Sequence, residues 1–320
     1  MNILITGGNG FVGQHLISEL SKNNKISVIC RKKHDLKYID IEKFKNVKVH
    51  YGADILDYNK ILPYFGGMDA VFNLAGYVSF KQKDRKKLIA INKEGTLNVL
   101  NACREHNIKK IIHISSTAAL GFSNKAINEE STFNWKKYKK CVYSYSKHLP
   151  EKWLLDSQAI IAYPSLILGP GDYANTLKLI TAVKEKKAFN MPGRNSVIDV
   201  RDLTKALLIL LKKGIPKNKY IIAGRNYSFH EINSTIARQL NTKKPGISIP
   251  REFESAIKML ARLYEKFSNN PAVTYENIFF AFKNRIHDDS KIRALGFKQK
   301  YLLDQTIKDA IIDSTEKELL

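Results

Sequence analysis

Residues Met1 to Gly13 read MNILITGGNGFVG, and the rest of the chain is interpreted from them. Met1 to Thr6 is a short apolar run, which predicts a strand. Gly7, Gly10 and Gly13 follow in a G-x-x-G-x-x-G spacing, and Leu16, Ile17 and Leu20 then fall on one side of a helical pattern. Strand, tight turn and helix N-terminus place unpaired amide N–H groups where the backbone can be approached closely, a geometry suited to a pyrophosphate. The spacing is wider than G-x-G-x-x-G, so this stretch alone fits either a nucleotide site or a purely structural turn.

Working outward, Ile26 to Cys30 is a second β-branched run and ends at Arg31, 18 residues beyond Gly13. An acidic residue at the end of the second strand would bind a ribose 2′-OH, whereas an arginine accommodates a 2′-phosphate, so NADP(H) is expected ahead of NAD(H). Surface charge on a lysine-rich chain is the competing explanation of Arg31. Further strands are predicted at Val47 to Tyr51, Ala70 to Leu74 and Lys110 to Ile114, with a long helical pattern from Leu88 to Cys103 that contains Asn92. Strands alternating with helices in this way specify βαβ units and a parallel sheet, with ligands at the carboxyl ends of the strands. Gly7, Arg31, Asp54, Ala75, Gly76 and Ser116 all fall at such ends.

A chain of 320 residues with 44% hydrophobic residues can bury a large core throughout. The net charge of +23 is spread over many short clusters rather than one basic motif, so a solvated surface is expected and nucleic acid is not. Cys30, Cys103 and Cys141 form no C-x-x-C pair, and the eight histidines show no ligand spacing, so no metal is expected. No apolar stretch is long enough to span a bilayer, and the first strand leaves no room for a leader. A soluble cytoplasmic protein is expected.

Tyr143 and Lys147 in YSYSK share one helix face. A lysine ammonium beside a phenol favours the phenolate, which suits a general acid/base near neutral pH. With 15 tyrosines among so many lysines this spacing also arises by chance, and Tyr77 and Lys81 repeat it. Context favours Tyr143, which soon after the serine-rich end of the fifth strand opens a helix expected to continue through Glu151 and Leu155.

Taken together, TGGNGFVG (6–13), ADILD (53–57), FNLAG (72–76), NKEGTLNVL (92–100), ISSTAALG (114–121), YSYSKHLPE (143–151), YPSLILGPGD (163–172) and IDVRDLTKAL (198–207) resemble the extended short-chain dehydrogenase/reductases. The likeness is greatest to the dihydroflavonol-reductase-like and 3β-hydroxysteroid-dehydrogenase-like branch, and DSKIRALGF (289–297) resembles that family's C-terminal segment. The resemblance implies an α/β fold: a Rossmann-like doubly wound parallel sheet over residues 1–165, rejoined by 198–225, and a smaller substrate-binding domain over 166–320. It implies that Ser116 binds the substrate carbonyl, with Thr117 as its neighbouring competitor, that Tyr143 moves the proton, and that Lys147 holds the nicotinamide ribose. Gly7, Gly10, Phe11 and Val12 would then receive the pyrophosphate, Asp54 and Ile55 the adenine, Leu74, Ala75, Gly76 and Asn92 the ribose region, and Pro164 the nicotinamide.

Two positions depart from the family. Asn73 replaces a frequent histidine, which is expected to be tolerated. Leu166 stands where sugar-nucleotide epimerases and dehydratases carry an asparagine, so the substrate is expected to be a small carbonyl or alcohol of less phosphate character. The sequence therefore predicts an NADP-dependent oxidoreductase, against two rivals: a sugar-nucleotide epimerase or dehydratase, and a catalytically silent NADP-binding sensor or assembly factor. In the C-terminal half, short helices broken by Pro192–Gly193, Gly214 to Pro216 and Pro245 to Pro250 are expected. The amphipathic Arg251 to Phe267 segment is expected to pack into the core, with a substrate lid or homodimer contact as alternatives. Oligomeric state is otherwise left open.

Overall fold

The computed structural model describes residues 1–33, 38–123, 125–268 and 271–320. Ile3, Leu4 and Ile5 of the first strand, β1 (Asn2–Thr6), have no exposed surface. An unbroken apolar run of this kind belongs to a strand covered on both faces. The main sheet continues with β2 (Lys25–Cys30), β3 (Val47–Tyr51), β4 (Ala70–Asn73), β5 (Lys110–Ile114), β6 (Ile160–Pro164) and, after a long excursion, β9 (Lys219–Ile222). Their order is β3-β2-β1-β4-β5-β6-β9 and every pairing is parallel. Strand order reverses between β1 and β4, which opens a crevice at their carboxyl ends.

Because side chains alternate across a strand, β1 feeds two cores. Ile3 and Ile5 pack with Leu16, Ile17 and Leu20 of the Phe11–Leu20 helix and with Leu203, Leu207 and Leu210 of the Val200–Lys213 helix. Leu4 faces the opposite layer with Val99, Leu100 and Cys103 of the Thr96–Glu105 helix. The result is the expected helix–sheet–helix sandwich.

Four local expectations are revised. The helix expected from Tyr143 through Leu155 is two helices, Val142–His148 and Glu151–Asp156, because Pro150 has no N–H to continue the ladder. The Leu88–Cys103 helix is interrupted by a wider π turn at Ala90–Gly95. Beyond Tyr173 the expected return to the main sheet is made by the Val200–Lys213 helix and β9, but strands outside that sheet are present as well. A small second sheet is centred on β8 (Arg194–Asp199), which pairs with β7 (Leu166–Leu168), β10 (Asn226–Ser228) and β11 (Asn284–Arg285). Ile198 and Asp199 belong to it, so the return to the main sheet starts at Val200. β7, β10 and β11 are only two or three residues long, too short for a periodicity to be read beforehand, and β8 opens on the polar Arg194-Asn195-Ser196 rather than on an apolar run.

The Glu254–Phe267 helix is the fourth revision, since its apolar face does not enter the core. Leu260 is 60% and Phe267 79% exposed, and Ala261 is its one buried residue. The helix packs sideways on the Tyr275–Ala281 helix instead, and a Phe or Leu pattern at helical spacing does not by itself say which way the face points.

A Cβ at Gly13 would lie 2.4 Å from the Gly8 carbonyl oxygen. Gly13→Ala is therefore expected to destabilise the protein by about 1–3 kcal/mol through overpacking of strand against helix. Urea unfolding checks this, and an unchanged midpoint would show that the close approach carries no stability.

Candidate active site

The crevice is a cavity of about 920 Å³ running along the strand ends. At its outer end Gly7 has φ +66°, and a Cβ there would come within 2.8 Å of the Ala75 Cα, so only glycine lets the turn lie against the wall made by Leu74, Ala75 and Gly76. Gly10 caps the Phe11–Leu20 helix without a side-chain hydrogen bond, and the first turn holds no acidic residue. The helix start thus presents amide donors and its positive end to the cavity, with Phe11 and Val12 beside it. The turn, the helix end and the unobstructed wall fit a dinucleotide pyrophosphate.

Asp54 and Ile55 after β3, and Arg31 after β2, line the next part of the cavity. Arg31 is exposed, with Lys32 beside it, and the Asn9 side chain fixes the backbone there by donating to the Lys32 carbonyl at 2.7 Å.

At the inner end Ser116, Thr117, Tyr143 and Lys147 come together, and Pro164 and Leu166 line the same cavity. Ser116 ends the loop after β5 in extended conformation, and its Oγ accepts from Ala118 N at 3.1 Å. The Val142–His148 helix brings Tyr143 and Lys147 to the same side. Lys147 is buried and its Nζ donates to the Ile114 carbonyl at 2.9 Å. Burial lowers its pKa to about 8. Burial also pushes the Tyr143 phenol up to about 12, against the opposing influence of the Ser116 hydroxyl and the Arg285 charge. The lowering of that phenol by Lys147 expected from the spacing is absent: the ammonium is turned to the Ile114 carbonyl, and desolvation dominates. Tyr143 is therefore a phenol at neutral pH, with a proton it can donate.

The competing pair is separated by its surroundings. The Tyr77 hydroxyl donates to Asp84 Oδ2 at 3.2 Å, and burial together with that carboxylate raises its pKa, so Tyr77 is tied to the protein rather than to a reacting group. Asn92 is also placed differently from expectation. It does not line the cavity: its amide donates to Ser146 Oγ at 2.8 Å and to the Tyr77 carbonyl at 3.0 Å, and its Oδ1 accepts from Tyr77 N at 2.8 Å. With its polar atoms occupied it clamps the loop after β4 to the helix carrying Tyr143. Asn73 is accommodated as expected, linking Thr6 Oγ1 at 2.7 Å to the His113 ring at 3.1 Å.

Several residues of this end went unrecognised in the sequence. Glu276, fully buried, accepts from Tyr143 N, Ser144 N and Ser144 Oγ at 2.9, 2.9 and 2.6 Å and so holds the start of the helix bearing Tyr143. Burial raises its pKa to about 7. Phe80 packs edge-on against Tyr143 at 5.2 Å between ring centroids. Ser165, Asn195 and Arg285 also line the cavity. Ser165 lies inside the YPSLILGPGD stretch but carries no expected role there; the others belong to no recognisable motif, and Asn195 and Arg285 come from the unpredicted second sheet.

Among the described residues no helix is long and apolar enough to cross a membrane, and no cluster of three or more His, Cys, Asp or Glu could hold a metal ion.

Comparison with known proteins agrees with this geometry. The chain is 24% identical over 306 residues to sterol demethylase protein B of Methylococcus capsulatus, covering 92% of each chain. It is 23% identical over 327 residues to a putative dihydroflavonol 4-reductase of Synechocystis, covering 97% of this chain and 92% of that one. Among solved structures, UDP-glucuronic acid 4-epimerase from Bacillus cereus in complex with NAD superposes with a TM-score of 0.76 at 19% identity, covering 99% of both chains, a likeness of fold. Residues 3–223 match the NAD dependent epimerase/dehydratase family, which takes in the glycine turn, the strand ends and the Ser116–Tyr143–Lys147 cluster. The chain belongs to that family, and within it to the dihydroflavonol-reductase-like branch of the extended short-chain dehydrogenase/reductases.

Proposed function

We propose that this protein is an NADP-dependent oxidoreductase that reduces a small ketone or aldehyde, or oxidises the corresponding alcohol. The observation that carries the reading is the convergence of Ser116, Tyr143 and Lys147 at one end of a cavity whose other end is a glycine turn and helix N-terminus. A nicotinamide bound there supplies or takes the hydride. Ser116 offers its hydroxyl to the carbonyl oxygen, holding it against the Tyr143 phenol. As negative charge develops on that oxygen, Tyr143 donates its proton, while the buried Lys147 ammonium holds the nicotinamide ribose and adds positive charge to this end of the cavity. In the direction of alcohol oxidation the same groups act in reverse.

NADP is favoured over NAD by Arg31 and Lys32 at the mouth, where an acidic residue would instead favour the 2′-OH. The sugar-nucleotide reading is disfavoured by Leu166, an apolar side chain lining the substrate end, which offers no hydrogen bond to a diphosphate.

Tyr143→Phe should retain NADPH binding and lose about 10²–10⁴-fold in kcat/KM on any carbonyl substrate. Cofactor fluorescence and turnover measure the two separately, and a fully active variant would remove Tyr143 from the chemistry. Arg31→Asp should weaken NADPH relative to NADH by roughly ten- to a hundredfold, the worth of one lost charge-assisted contact. Unchanged selectivity would leave Arg31 as surface charge.

The lowered pKa of Lys147 gives a pH dependence with a definite sign. Its cation is present below about 8 and lost above, so ketone reduction should decline as pH rises through that region. Lys147→Met should be slow at all pH values and lack that limb. A wild-type profile that rises with pH there would contradict the role.

A further inference from the structure

Arg285 is 7% exposed, yet among the described residues its Nε has no hydrogen-bond partner. Its Nη2 reaches only Thr117 Oγ1, at the long distance of 3.5 Å, and the guanidinium lies over the Phe280 ring at 4.6 Å. It forms no direct ion pair among the described residues. The nearest acidic influence, Glu276, has its oxygens occupied by Tyr143 N, Ser144 N and Ser144 Oγ. A buried guanidinium with unspent donors is costly unless something fills them.

Two further unpartnered polar atoms border the same cavity. Asn195 is the register partner of Arg285 across β8 and β11, so the two side chains leave the same face of the small sheet, and Asn195 Oδ1 has no partner. Ser165, between Pro164 and Leu166, is buried and its Oγ is likewise unpartnered. All three residues line the cavity with Ser116, Thr117 and Tyr143. A guanidinium presents parallel N–H donors that match the two oxygens of a carboxylate, while a serine hydroxyl and an amide that can rotate supply the remaining donors.

We propose that Arg285, assisted by Asn195 and Ser165, is the specificity determinant of this site and receives a carboxylate carried by the substrate next to its reacting carbonyl. The inference rests on the oxidoreductase reading, since Ser116 and Tyr143 mark where that carbonyl lies. Glu276, Tyr143, Cys141 and His287 are the titratable groups that interact with Arg285, Lys147 lies beside His113, and Lys178 and Asp172 line the same cavity. Burial that raises the Glu276 pKa weakens its counter-charge and leaves the surplus positive.

The test uses the NADPH-loaded full chain with benzoylformate and its methyl ester, which differ in the carboxylate. Wild type should prefer benzoylformate by about 10²-fold in kcat/KM. Arg285→Gln should reduce that preference to within about threefold, chiefly through KM, with unchanged melting temperature and NADPH affinity. In parallel, calorimetry on wild type with NADP⁺ should show benzoate binding and benzamide not, a readout that needs neither turnover nor a folded variant. Equal use of acid and ester, or a preference that survives in Arg285→Gln, overturns the proposal while leaving the oxidoreductase reading intact. Benzoate binding without turnover of either compound keeps the carboxylate site and counts against the hydride chemistry; equal binding of benzoate and benzamide rejects the site.

Discussion

The whole cleft depends on one close approach of backbone to backbone. Gly7 lies so near Ala75 that a single added carbon would collide with it, and Gly13 lies closer still to Gly8. These contacts let β1 run directly under the start of the Phe11–Leu20 helix and bring the helix's amide end to the point where the strand order reverses. A side chain at Gly7 would push the turn off the Leu74–Ala75 wall, and one at Gly13 would push the helix start off the turn at Gly8. The fold and the nucleotide-binding geometry are therefore set by the same few atoms, which is why the first thirteen residues say so much.

The other end of the cleft is built differently, from parts distant in sequence. The helix bearing Tyr143 and Lys147 begins on Glu276, contributed by the Tyr275–Ala281 helix of the C-terminal half, and its far side is clamped by Asn92. Ser116 arrives on the loop after β5, and Arg285 on a two-residue strand. The C-terminal half thus does more than cover the cavity: it fixes the position of the helix that bears Tyr143 and contributes polar atoms to the same end. Burial then sets the protonation states, keeping Tyr143 a phenol and bringing Lys147 down toward the range where it can lose its proton.

What could be read beforehand followed the strength of the local signal. β3 and β5 lie where their β-branched runs place them, and the glycine spacing locates the turn, because these features are written in consecutive residues. The motifs likewise brought Ser116, Tyr143 and Lys147 to one end of the cavity. The pKa of Tyr143 ran opposite to expectation, since spacing to a lysine says nothing of how deeply the phenol is buried or where the ammonium turns. Asn92 shares a motif with the family but spends its hydrogen bonds inside the protein. Glu276 was silent in sequence because the Tyr143 and Ser144 groups it holds lie far away along the chain, and Arg285 because its neighbours meet only when the two-residue β11 pairs with β8. The exposed apolar face of the Glu254–Phe267 helix shows the same limit: periodicity reveals a face, whereas packing decides its direction.

The central claim is that this cleft transfers a hydride between a nicotinamide and a carbonyl carbon, with net oxidation or reduction of the cofactor. The most direct measurement follows deuterium from NADPH labelled at the nicotinamide C4 into product, using mass spectrometry and cofactor absorbance on one reaction. The account predicts one deuterium on the former carbonyl carbon for each NADPH consumed. Product formed without deuterium, or formed while the NADPH pool stays constant, would contradict it.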